Sequence, residues 1–183
     1  MSLVKQQTAI PFVFMRGGTS RGPYFRQNDL PKDRAILSKV LIAALGSGDP
    51  NNIDGLGGGT AVTTKVAMLS LSDDPAADID YLFAQVSVDD CIVDYAPTCG
   101  NILVGVGPAA IELGLISPKE NTTSIRIRAV NTGALVEAVV QTPGGEVSYD
   151  GDMKLDGVNR AAAPVELNFF EIVGSKTGEL FPT

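Results

Sequence analysis

Apolar, β-branched and aromatic side chains fill residues 8–15 with Pro11 as the one interruption, which predicts a strand near a sheet edge, where a missing amide is tolerated. The next segment, Arg16-Gly17-Gly18-Thr19-Ser20-Arg21-Gly22, has the composition of a loop. Ile36, Leu37, Val40, Leu41, Ala44 and Leu45 recur at helical spacing and predict a first helix over residues 31–45, with Pro31 in its opening turn and Gly46 as its stop. Residues 49–60 read as a glycine-rich loop. Strand patterns return at 63–71 and 79–88, and an Asp89-Asp90 turn leads to another at 91–95. Further on, Ile125, Ile127 and Ala129 alternate with Arg126 and Arg128, the mark of a strand with one wet face. Turns at Asn131-Thr132-Gly133 and Pro143-Gly144-Gly145 set off strands at 135–142 and 147–149, and Val165, Leu167 and Phe169 alternate in a last one. No internal repeat or linker interrupts this order, and the sequence stops at Leu180-Phe181-Pro182-Thr183 without a closing element.

Residues 101–115 stand apart, because Glu112 is their only charge and apolar side chains fall on nearly every side of the helix they predict. Such a helix needs cover all round. In a chain otherwise made of mostly antiparallel strands, that cover is a curled sheet or barrel wrapped around it, an α+β architecture. Pro108 should kink the helix or delay its start. Two stacked buried strands around Gly105-Val106-Gly107 are the alternative, since periodicity separates the two weakly.

Composition narrows the chemistry. The chain has 183 residues, 44% of them hydrophobic, and its 14 basic against 21 acidic side chains leave a net charge of −7, which argues against a nucleic-acid partner. No apolar run approaches the ~18 residues of a membrane span, and the opening Met-Ser-Leu-Val-Lys-Gln-Gln lacks a secretory core, so the expectation is a cytoplasmic protein without membrane contact. Histidine is absent, which removes Ser-His-Asp and Cys-His hydrolases and His-ligated metals; any proton transfer falls to Cys, Lys, Tyr, Asp or Glu. Two cysteines build neither a zinc quartet nor a disulfide framework.

Cys99-Gly100-Asn101 opens the enclosed helix, where the macrodipole favours negative charge and free amides form an anion cradle. The position favours function for Cys99 over burial as a small hydrophobe; Cys91, inside a strand pattern, is read as structural. Gly57-Gly58-Gly59-Thr60 lets backbone approach a ligand and leads into Lys65, which packing could hold over a pocket as acid, base or enolate partner; on its own this segment better describes a solvated strand lysine. Neither glycine segment completes a Walker A or dinucleotide motif, so no cofactor or metal is expected. Arg16 and Arg21 with Thr19 and Ser20 could clamp a carboxylate or form a plain hairpin turn.

Three segments in order, Met15-Arg16-Gly17-Gly18-Thr19-Ser20-Arg21-Gly22, Asp54-Gly55-Leu56-Gly57-Gly58-Gly59 through Thr64-Lys65-Val66-Ala67, and Cys99-Gly100-Asn101-Ile102-Leu103-Val104-Gly105-Val106-Gly107-Pro108, resemble the PrpF-like isomerases. That family isomerises 4-oxalomesaconate, aconitate or methylaconitate, and methylitaconate, and Asp80-Tyr81-Leu82-Phe83-Ala84-Gln85-Val86 leans toward the first of these. The resemblance implies the diaminopimelate-epimerase-like fold, two similar domains each curling a sheet around a helix with the active site between them. Residues 1–183 would then be the N-terminal domain, and a second domain, a partner chain or a second copy would complete the cleft. It also implies that Lys65 and Cys99 form the catalytic proton-transfer pair, and that Arg16, Gly17, Gly18, Thr19, Ser20, Gly58, Gly59, Thr60, Thr64, Gly100 and Asn101 lie near a small anionic carboxylic acid. Ala61 departs from the serine common in the family. The rival reading is an inactive fragment or a binding and assembly domain lacking half of the cleft.

Overall fold

The computed structural model describes residues 7–170; the readings of the first six residues and of the tail at 180–183 fall outside the described residues. β1 (Phe12–Gly17) and β2 (Ser20–Arg26) form a tight hairpin, followed by α1 (Arg34–Leu45), β3 (Lys65–Leu71), β4 (Ile79–Val86) and the short β5 (Val93–Asp94). Then come α2 (Gly100–Val104), α3 (Val106–Glu112), β6 (Asn121–Ala129), β7 (Ala134–Thr142) and β8 (Val165–Phe169). All eight strands belong to one sheet in the order β1-β2-β3-β4-β6-β7-β8, with β5 on β4. Pairing is antiparallel except between β2 and β3 and between β4 and β6. Each parallel pair needs a long crossover, and the two crossovers carry the helices: α1 in the first, α2 and α3 in the second.

Side-chain alternation assigns the helices to opposite faces. Ala67 and Leu69 of β3 and Ile79, Tyr81 and Phe83 of β4 point inward with Ile125, Ile127, Val136, Ala138 and Val140, all packed around Ile102, Val106, Ala109 and Ala110. Val66, Met68, Leu82, Ala84 and Val86 point the other way, onto Leu37, Leu41 and Leu45 of α1. A helical segment packed against four neighbouring strands requires the sheet to curl, and the expected α+β wrap around an enclosed helix is what forms.

Several local expectations change. β2 occupies residues read as loop, because only Gly18 and Thr19 turn the chain and Ser20 already pairs with Gly17. Pro31 precedes α1 instead of opening it; Asp33 caps the helix by accepting from the Ile36 amide at 2.9 Å, and left-handed Gly46 ends it. The enclosed helix is two pieces. Pro108 cannot donate to the Val104 carbonyl, and the break falls at Gly105, whose amide bonds Ile102 O in a tighter turn before α3 resumes. Residues 147–149 form no strand, although the Ser148 amide donates to Gln141 O. Cys91 is no strand residue either: it is exposed, with left-handed backbone at φ 52°.

The β4–β6 pairing places Asp80 opposite Arg128, whose Nε and Nη2 donate to the two carboxylate oxygens at 2.9 and 2.6 Å. Burial alone would raise the Asp80 pKa, but the hydrogen bonds from Arg128 and Ser72 and the Arg128 charge outweigh it and hold the carboxyl below its usual range. A depressed carboxylate contributes stability above its unfolded pKa and loses it as pH falls through the folded value. Asp80→Asn should therefore cost on the order of 1 kcal/mol at neutral pH for this partly solvated pair. That deficit should shrink below about pH 4. Denaturant unfolding at both pH values checks it, and a pH-independent deficit would contradict it.

Candidate active site

β1 ends, β2 and β3 begin, β4 ends and α2 begins at one end of the sheet, so that end collects most of the residues singled out by sequence. Cys99 is the residue before α2, with extended backbone at φ −138° and ψ 108° and no side-chain bond to the helix amides. It is half-buried, packed against the inner core. Two tyrosines from the sheet seat this first turn: Tyr24 Oη donates to Ile102 O at 2.8 Å and Tyr81 Oη to Cys99 O at 3.4 Å. Burial first, and the nearby Cys99 sulfur second, push both phenols above their usual range, so both remain donors.

The β1–β2 turn lies directly on this helix end. Gly17 and Gly18 approach Asn101 so closely that a β-carbon at either would collide with its carbonyl or side-chain oxygen, and Gly18 also needs φ 49°. The Thr19 amide donates to Asn101 Oδ1 at 3.3 Å. Asn101 therefore ties Gly100 and Cys99 to residues 17–19. Ser20 is 2% exposed and its hydroxyl has no protein partner, an uncommon state for a buried polar group. Arg16 is exposed and folds back, Nη1 donating to Gly18 O at 2.6 Å. Arg21, opposite Arg16 in the hairpin and on the same face, lies over the Phe14 ring at 5.5 Å.

Lys65, first residue of β3, faces inward with Phe83 and Gln85 of β4. Its Nζ donates to Gln85 Oε1 at 2.7 Å and lies 5.3 Å from the centre of the Phe83 ring. Phe83 in turn packs on Tyr81, with 6.5 Å between ring centres, and Tyr81 bonds the Cys99 carbonyl. Lys65 and Cys99 thus sit on one concave face, joined through an aromatic pair.

The glycine loop is braced from below. Gly58 packs against Arg21 and Thr63, Thr60 O accepts from both the amide and the hydroxyl of Thr63, and the Gly59 amide donates to Asn52 Oδ1 at 2.8 Å. Asn52 is 1% exposed, and its Nδ2 donates to Gly46 O and Asp49 O, so this residue, not singled out from sequence, fixes the loop to the end of α1. Thr64 corrects an expectation. It is fully buried and gives its hydroxyl proton to Val86 O at 2.8 Å, so it shapes the β3 entrance and does not present a surface to a ligand. Asn131, a turn residue by sequence, bonds both the amide and the carbonyl of Phe83 and the Tyr95 carbonyl, anchoring the approach to Cys99. Among the described residues, no three His, Cys, Asp or Glu side chains gather as a metal site, and no helix is long and apolar enough to cross a membrane.

The family model described as "PrpF protein" matches residues 7–183. The chain belongs to the PrpF family. It is 48% identical over 177 residues to 4-oxalomesaconate tautomerase of Pseudomonas putida, covering 97% of this chain and 49% of that protein. It is 43% identical over 180 residues to 3-methylitaconate isomerase of Eubacterium barkeri, covering 98% of this chain and 47% of the relative. The crystal structure of a methylitaconate Δ-isomerase superposes with a TM-score of 0.88 at 44% identity, covering 93% of this chain and 44% of that one. The PrpF-family chain thus spans about half the length of the curated relatives it matches, and its α+β fold, a curled sheet around an enclosed helix, agrees with that of the methylitaconate Δ-isomerase structure.

Proposed function

We propose that this PrpF-family chain is the N-terminal domain of a two-domain, cofactor-independent cytoplasmic isomerase that moves a carbon–carbon double bond in a small di- or tricarboxylic acid. The observation that carries the reading is that Lys65 and Cys99 lie at the same end of the inner face, linked indirectly through Phe83 and Tyr81, beside the Gly17–Asn101 contact at the start of α2. One of the pair removes a proton from the carbon next to a carboxylate or keto group. The electron pair delocalises through the conjugated system as an enolate, and the other returns a proton two carbons away, so the net change is migration of the double bond. Carbon acids are weak, so preorganised donors must stabilise the developing charge. The amides of Gly100 and Asn101 and the Lys65 ammonium supply them on this domain, with Arg16, Thr19, Gly58, Gly59 and Thr60 at its rim. The relatives' names support an acid such as 4-oxalomesaconate or 3-methylitaconate.

Incubation of the complete polypeptide with each acid in D2O, followed by NMR, tests this. One solvent deuteron should appear at the newly protonated carbon of the isomerised product. No incorporation with any of these acids would overturn the reading.

A further inference from the structure

Gln85 stands opposite Lys65 in the antiparallel β3–β4 pair. Its Nε2 lies 3.1 to 3.3 Å from four oxygens: Ala61 O, Thr64 O, Thr64 Oγ1 and Val86 O. Three are carbonyls, which only accept, and the Thr64 hydroxyl already donates to Val86 O. The amide therefore has one tenable orientation. Turned over, its carbonyl would face four acceptor oxygens and its NH2 would face an ammonium. Oε1 is thereby fixed toward Lys65 Nζ at 2.7 Å, and the Phe83 ring face, which also attracts a cation, lies on the same side. A lysine side chain has four rotatable bonds and scatters its ammonium unless something holds it.

We propose that Gln85 is a positioning residue: it holds the Lys65 ammonium in one place over the concave face without touching substrate, and it ties that place to the backbone of residues 61–64, where the glycine loop enters β3. The inference rests on the reading that Lys65 takes part in the proton transfer.

The test compares Gln85→Met, Gln85→Glu and Lys65→Ala in the complete polypeptide. Gln85→Met should lower kcat by about 10- to 100-fold while leaving KM within about threefold, because a misplaced group is lost mainly in the transition state. Gln85→Glu keeps an acceptor for Lys65 but, when ionised, turns an oxygen toward the loop carbonyls; protonated, it regains a donor. Its activity relative to wild type should therefore climb as pH falls toward about pH 4.5, the ordinary glutamic acid range. A role in folding alone would not produce that pH-dependent rescue. Folded Gln85→Met with kcat within about twofold of wild type would overturn the proposal; if that variant does not fold, a Gln85→Glu activity ratio flat from about pH 8 to pH 4.5 overturns it. Full turnover in Lys65→Ala would instead defeat the isomerase role of Lys65, so the two failures are told apart.

Discussion

Lys65→Ala in the complete polypeptide should lose about 10²- to 10⁴-fold in kcat/KM for double-bond migration, the range by which a positioned acid or base accelerates proton transfer. Cys99→Ser should fall by a similar factor, since a serine hydroxyl holds its proton far more tightly than a thiol. Both changes should leave the fold intact. Lys65 begins a strand, and its side chain spends its bonds on Gln85 and its packing on the Phe83 face, not on a buried apolar contact. Cys99 makes no side-chain cap, and its carbonyl keeps its bonds to the Leu103 amide and Tyr81 whatever the side chain. Steady-state kinetics alongside circular dichroism decide the matter. Near-native turnover in either variant would remove that residue from the proton-transfer pair.

Gly22→Ala is expected to be the most damaging small substitution in the hairpin. β2 and β3 run parallel, and a β-carbon on Gly22 would collide with the backbone carbonyl of Lys65. Backbone on the receiving side cannot swing away as a side-chain tip can, so β2 and β3 must part. A loss of about 3 kcal/mol, the upper range for overpacking, should appear in denaturant unfolding. Activity should fall with it, because the displaced residue is Lys65. A loss below about 1 kcal/mol would mean that the strands accommodate the methyl group and the close approach is dispensable.

The same glycine shows why the hairpin was read as a loop. Gly22 and Pro23 are ordinary loop residues by composition, and only the approach of β3, absent from local sequence, makes glycine necessary inside a strand. The enclosed helix was legible because its apolar character runs all the way round, and its break could be placed near Pro108 though not at Gly105. Lys65 and Cys99 stood out by residue type beside glycines and by resemblance to a family. Gln85 did not. Its role depends on the register across the connection 72–78, and nothing in the length of that connection dictates that Lys65 meets Gln85. Asn52, Asn131, Tyr24 and Tyr81 act through bonds to distant backbone, spanning 78 residues in the case of Tyr24 to Ile102, which no short motif records. The strand expected at 147–149 failed because alternating apolar residues predict pairing only where a partner edge is available.

The single sheet between α1 and the split helix behaves as a bulkhead. Leu37, Leu41 and Leu45 pack with the outward residues of β3 and β4, whereas Lys65, Phe83 and Gln85 occupy the inward positions of those strands. Aliphatic exchange on the α1 side can thus raise or lower heat resistance without re-aiming the ammonium, which makes that compartment the place where the lineage, or an engineer, can vary robustness independently of turnover.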